Sequence, residues 1–201
     1  ADGSELEGAT IQIIDGKGRI ENEWVSGDEA KEIQGLKTGE EYTLRVTVAP
    51  EGYTIPSDTA FTIDEKGEVT SSGTVNEDGT MLVELEKTEV SVAVVDIADG
   101  SELEGATVQI LDSNGKVVDE WVSGVEAYDF EGLKTGKEYT LRVTVAPAGY
   151  KIPSDTTFAI DEAGKVTSTG TVEDGVILVE LEKTKGSVVV VDAANEKELE
   201  G

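Results

Sequence analysis

At 201 residues the chain has room for two domains of ordinary size, each able to close its own core. It carries 43 acidic against 16 basic residues, a net charge of −27. Nucleic acid is therefore not expected as a partner, because its phosphates need clustered Lys and Arg, and a soluble, self-repelling surface is expected instead. No apolar run approaches the ~20 residues of a spanning helix, so membrane insertion is not expected. Cys and His are absent, which removes thiol nucleophiles, disulfides, the usual zinc sites and imidazole acid–base chemistry.

Taken in chain order, apolar residues alternate with a period of two and predict strands throughout. Ala9–Ile14, Ile20–Val25 and Ala30–Ile33 come first, with the turn signal Asp15-Gly-Lys-Gly18 between the first two. Tyr42-Thr-Leu-Arg-Val-Thr-Val48 follows, with Tyr42, Leu44, Val46 and Val48 expected on the inward face. Thr59–Ile63 and Glu68–Val75 flank the turn Asp64-Glu-Lys-Gly67. Met81-Leu-Val-Glu-Leu-Glu86 places Val83 and Leu85 inward. In Glu89–Asp96, Val92 and Val94 share a face. The same elements then recur: Tyr139, Leu141, Val143 and Val145 inward in one strand, Val179 and Leu181 in another. A last segment, Ser187–Asp192, places Val188 and Val190 on one side. No segment shows a sustained 3.6-residue period. Short strands with turn signals every ~8–12 residues predict an all-β fold of antiparallel β-sandwiches, immunoglobulin-like or prealbumin-like, set end to end.

The recurrence is a true repeat. Ala1-Asp-Gly-Ser-Glu-Leu-Glu-Gly8 returns as Ala98–Gly105, and Lys197-Glu-Leu-Glu-Gly201 is a looser third copy. Residues 1–75 match residues 98–172 at 54 of 75 positions. The offset of 97 falls to 96 after a one-residue deletion near Asn76–Gly79. Such a period is one small domain rather than a solenoid unit. The junctions Thr88-Glu89 and Thr184-Lys-Gly186 are too short for floppy linkers, so restricted rotation between neighbours is expected.

Other signals read as structure. Asp15-Gly-Lys-Gly and Asp112-Ser-Asn-Gly-Lys begin like a calcium loop, but the following ligands and closing Glu are missing, which leaves hairpin turns. Weak calcium binding at the junction, through acids such as Glu86 and Glu89, is the one cation site the charge suggests. Trp24 and Trp121, equivalent in the two copies, are expected to pack at a core edge rather than to stack on sugar. Tyr53 and Tyr150 are expected to pack at a corner. With no clustered base beside any Ser or Thr, no nucleophile is seen and no enzymatic activity is expected.

Gly35-Leu-Lys-Thr-Gly-Glu-Glu-Tyr-Thr-Leu-Arg-Val-Thr-Val-Ala-Pro-Glu-Gly-Tyr53, and its counterpart Gly132–Tyr150, resemble the Cna B-type, SpaA-like repeat of Gram-positive surface proteins and pilins. Leu6-Glu-Gly-Ala-Thr10, Leu103-Glu-Gly-Ala-Thr107 and Ser91-Val-Ala-Val-Val-Asp96 add to the resemblance, which covers nearly the whole of both copies. It implies a stalk or pilus module, extracellular and attached to the cell surface or wall. Many members of that family join a Lys of the first strand to an Asn or Asp of the last by an isopeptide bond, assisted by a buried acid. Here the resemblance places apolar residues at all three positions. Val94 and Val190 stand for the Lys, Val46 and Val143 for the acid, Leu85 and Leu181 for the acceptor. The bond is therefore expected to be absent and replaced by an apolar cluster. Lys87, Lys183 and Lys185, at strand ends and junctions, are not expected as donors.

The family's first strand is the one containing Val94, which sets the phase of the repeat. Residues 1–88 are expected to form a sandwich lacking its own first strand, 89–185 a complete one, and 186–201 the first strand of a third repeat. Two function classes follow. The first is a structural stalk or fibre module. Its partners are neighbouring copies and, through the tail entering the vacancy of another molecule, other chains joined head to tail. The second is an adhesin module binding host matrix protein or glycan. The duplicated starts Ala1–Gly8 and Ala194–Gly201 weigh against a fully docked tail, because both would claim one place.

Overall fold

A computed structural model describes residues 5–190. The described residues form fourteen strands. The first copy contains β1 (Thr10–Asp15), β2 (Ile20–Val25), β3 (Glu41–Val48), β4 (Thr59–Ile63) and β5 (Val69–Ser71). The second contains β6 (Glu89–Asp96), β7 (Thr107–Leu111), β8 (Val117–Val122), β9 (Tyr128–Glu131) and β10 (Glu138–Val145). It continues with β11 (Thr156–Ile160), β12 (Val166–Ser168), β13 (Thr171–Glu173) and β14 (Val176–Leu181).

Both copies build the same five-stranded antiparallel sheet, in the orders β2-β1-β3-β4-β5 and β12-β11-β10-β7-β8. The hairpins are closed by aspartates. Asp15 Oδ1 accepts the backbone N–H groups of Lys17 and Arg19 at 2.9 and 2.8 Å. Asp112 Oδ1 does the same for Asn114 and Lys116, both at 2.9 Å. The calcium-like openings are thus turns whose carboxylates are spent on backbone donors.

In the second copy a four-stranded sheet, β13-β14-β6-β9, covers the five-stranded one. Side chains of the two sheets meet in a single core of Val90, Val92, Val108, Ile110, Tyr139, Leu141, Phe158, Ile160, Ile177 and others. The sandwich is antiparallel except at one place, where β6 and β14 run parallel, Val92 opposite Ile177 and Val94 opposite Val179. On its other side β6 pairs antiparallel with β9. β6 is buried on both faces: Ala93 and Val95 are covered as well as Val92 and Val94.

The first copy departs from the strands expected of it. Ala30–Ile33 and Met81–Glu86 are not strands, although their counterparts are β9 and β14; an isolated bridge from Val75 to Met81 and a bond from Leu82 N–H to Thr74 O keep one edge of the second segment paired. Glu68–Val75 shortens to β5. Among the described residues no segment stands in the first copy where β6 stands in the second. A strand needs a neighbour for its N–H and C=O groups, and β6 is the neighbour of both β14 and β9. The core of the first copy is correspondingly thin. Ala9, Ile11, Ile13, Tyr42, Leu44, Val46 and Phe61 are buried, whereas Leu36, Met81, Val83 and Leu85 are only half-buried.

Two inward expectations fail at one spot in both copies. Val48 and Val145 are each 53% exposed. The register shifts between Thr10 and Ile11 in the first copy and between Val143 and Val145 in the second. A bulge of this kind inserts one residue and turns the alternation over.

Candidate functional site: the strand seat and the copy-to-copy junction

The six positions singled out in the sequence separate into a closed set and an open one. Val94, Val143 and Leu181 all lie in the buried core of the second copy. In the first copy Val46 is buried and Leu85 is half-buried against the same core; Val190, in the closing segment, is exposed. The region around Val46 is an open cleft of about 150 Å³, lined by residues including Leu44, Val46, Leu82 and Val83.

One of the strand-end lysines, Lys183, holds the second copy's polar latch, which the sequence did not disclose. Asp96, at the end of β6, is 1% exposed. Its Oδ2 lies 2.6 Å from Lys183 Nζ, just beyond β14, and accepts the Tyr150 hydroxyl at 2.9 Å. Its Oδ1 accepts the backbone N–H of Ala98 at 2.9 Å. These donors, the Lys183 ammonium first among them, hold the carboxyl at about 2. Lys183 is raised by the same pairing, and its ammonium sits 5.8 Å from the centre of the Tyr150 ring. Burial first, then the Asp96 carboxylate, raises the Tyr150 hydroxyl. Both charged partners being stabilised, the arrangement is an ion pair that ties β6 to β14. The signal available in the sequence was the shared phase of Asp96 and Lys183, each two residues past an inward residue of its strand, Val94 and Leu181. In the first copy Tyr53 and Lys87 recur, but Lys87 Nζ instead meets Glu131 Oε2 at 3.2 Å.

That second contact belongs to the junction between copies. Thr88, buried there, donates its N–H to Gly52 O at 2.9 Å and its Oγ1–H to Leu133 O at 2.6 Å. Gly132 N donates to Thr88 O at 2.9 Å, and Ile55 N to Glu162 O at 2.8 Å. Lys134 Nζ pairs with Glu51 at 2.6 Å. Gly52, at a φ of 84°, lies so close that a side-chain carbon there would stand 2.9 Å from the Gly132 carbonyl. The expectation of restricted rotation has this physical form: backbone bonds and an ion pair join two copies with no free linker.

Trp121 is buried and stacks on Tyr128, with ring centroids 4.4 Å apart; Trp24 packs half-buried against the first core. Tyr150 packs half-buried against the second core and adds the bond to Asp96. Among the described residues no group of three or more acidic side chains is arranged to hold a metal ion.

The model of the SpaA prealbumin-like fold domain matches residues 1–78 and again residues 88–174. The chain belongs to that family. Its two SpaA-type domains therefore repeat the fold named by the family. No curated protein matches the chain. Among solved structures, the TIE protein of Bacillus anthracis shares 24% identity at a TM-score of 0.44, covering 90% of this chain and 32% of its own. The chain thus spans about a third of that protein's solved length. The C-terminal fragment of the pilus adhesin SpaC from Lactobacillus rhamnosus GG shares 16% identity at 0.47, with 94% of each chain covered. The shaft pilin SpaA of the same organism shares 14% identity at 0.40, with 91% of this chain and 90% of its own covered.

Proposed function

We propose that the chain is a non-enzymatic structural module of an extracellular, cell-surface fibre. Its SpaA-type domains stack end to end, and chains join head to tail when the tail strand of one enters the first domain of another. The boundaries of this reading are 1–88 for a sandwich that takes its first strand from elsewhere, 89–185 for a complete one, and 186–201 for the strand it offers. The observation that carries it is the bonded junction, in which Thr88, Gly52 and Gly132 lock successive copies backbone to backbone. A spacer must transmit position along an array, and a stiff joint does so where a flexible linker would not. Size measurement of the 201-residue protein across concentration tests the joining step: species heavier than a monomer support it, and a strict monomer overturns it. A matrix-protein and glycan screen tests the structural reading, which saturable binding by one domain would replace with an adhesin reading.

The same reading takes the two domains to be free of the isopeptide bond. Val94, Val143 and Leu181 fill the core at the positions the resemblance assigns to the reacting trio. Burying three aliphatic side chains stabilises by roughly 1.5–3 kcal/mol each, without the desolvation cost of an ionisable trio. The intact mass is expected to equal the sum of the residues. A deficit of one water or one ammonia per domain overturns this.

A further inference from the structure

The outer end of the second copy repeats the junction surface, and among the described residues no further domain packs on it. Thr184 donates its N–H to Gly149 O at 2.7 Å and its Oγ1–H to the same oxygen at 3.1 Å, as Thr88 binds Gly52. Thr88 and Gly52 are buried by the neighbouring copy, whereas Thr184 and Gly149 are exposed. Ile55 is half-buried with its N–H bonded to Glu162, whereas its counterpart Ile152 is 58% exposed. Beyond this end the chain runs on through Val188, Val189 and Val190, which are 93, 59 and 64% exposed. Three successive exposed valines are an unusual burden for a charged, soluble surface.

The opposite surface lies on the first copy. Leu36, half-buried, is the counterpart of Leu133, which is buried in the second core and whose carbonyl accepts the Thr88 hydroxyl at the internal junction. Glu65 is the counterpart of Glu162. The first copy also carries the cleft lined by Leu44, Val46, Thr74, Leu82 and Val83, and neither Ala30–Ile33 nor Met81–Glu86 is a strand there.

We infer that these two surfaces are one interface between copies of the chain, and that the donated strand has a defined register. This deepens the joining step proposed above and rests on it. Ser187-Val188-Val189-Val190 repeats Ser91-Val92-Ala93-Val94 of β6, with Val189 in place of Ala93. In the second copy Val92 lies opposite Ile177, Ala93 opposite Leu178 and Val94 opposite Val179, in parallel. The constant offset of 96 carries this register to Val188 opposite Met81, Val189 opposite Leu82 and Val190 opposite Val83. Antiparallel pairing with the other flank follows, Val188 opposite Lys31 as Val92 lies opposite Tyr128. At the same time Gly149 and Ile152 seat on Gly35–Leu36 and Glu65. The Thr184 turn fixes the exit direction of the strand, so both halves of the surface engage together.

Two differences make this contact weaker than the internal one. Gly186 replaces Val90, a buried core residue, and Ala148 replaces Glu51, which removes the ion pair made by Lys134. Self-association is therefore reversible and dependent on concentration.

The chain has no cysteine, which makes an engineered disulfide a clean test of register. The variant L82C/V189C, oxidised gently, is expected to give covalent multimers on a non-reducing gel. The variant E84C/V189C, same face but two residues out of register, is expected to give roughly a tenth as much or less. Equal cross-linking of both overturns the register while leaving the joining step intact. A 201-residue protein that sediments as a monomer at every concentration overturns both. Val190→Asp and Ile152→Asp are each expected to weaken association roughly tenfold or more. Both sites are exposed in the single chain, so the melting of the second domain is expected to be unchanged. Association unaffected by either substitution overturns the composite surface.

Discussion

Asp96 shows how one residue can hold two strands. Its carboxyl is held at about 2 against an ordinary 3.8, so folding favours the ionised form. The stability this contributes is complete above pH ~4 and is lost as pH falls through the folded value near 2. Asp15, also at about 2 through Arg19, produces a parallel loss in the first domain. We therefore expect Asp96→Asn to lower the melting temperature of the second transition at pH 7 and to flatten its decline between pH 4 and 2. The first transition should keep its slope. Calorimetry against pH checks this, and an unchanged second slope would exclude the latch. Leu181 and Leu85 make a second pair. Leu181 is completely buried and Leu85 only half so. Leu181→Ala is expected to cost about 2–5 kcal/mol in the second domain, and Leu85→Ala less than about 2 in the first, by denaturant unfolding. The sequence placed both leucines inward, but it did not reveal Asp96, because burial of a charge depends on partners 54 and 87 residues away.

At the scale of elements, β6 decides whether a second sheet exists. Near-identical segments are strands where β6 is present and irregular where it is not: Val176–Leu181 against Met81–Leu85. Local propensity is the same in both, so pairing rather than propensity makes the difference. The junction offers a matched comparison of its own. Gly52 and Gly149 share a positive φ, 84° and 89°, but only Gly52 faces another backbone. Alanine at either costs about 1–2 kcal/mol for the left-handed conformation. Gly52→Ala is additionally expected to loosen the joint, and Gly149→Ala in the single chain is not. Small-angle scattering should show a broader distribution of shapes for G52A alone. Identical profiles for the two variants would mean that the close approach does not stiffen the array.

For the whole molecule, two domains of the same ancestry should differ in stability. The second buries two sheets around one core, while the first keeps one sheet and a partly open face. Heating a dilute sample is expected to show two transitions, the first domain melting earlier. Raising the salt concentration should shift both upward, because a net charge of −27 repels itself across both domains. A single cooperative transition at low concentration would mean that the junction couples the domains more strongly than the missing sheet separates them.

Period-two alternation, aspartate turns and a repeat near 97 residues were enough, by themselves, to determine an all-β tandem array and most of its core. Those features are local, and each face of a strand is written in its own residues. The tertiary structure alone decided which segments became strands in the first copy, where the bulge turned Val48 and Val145 outward, and which lysine paired with Asp96. It also decided that Gly52 meets Gly132 across the junction. Each of these depends on a partner distant in sequence, and hydrogen-bonding neighbours, close backbone approach and the burial of charge exist only once that partner is in place.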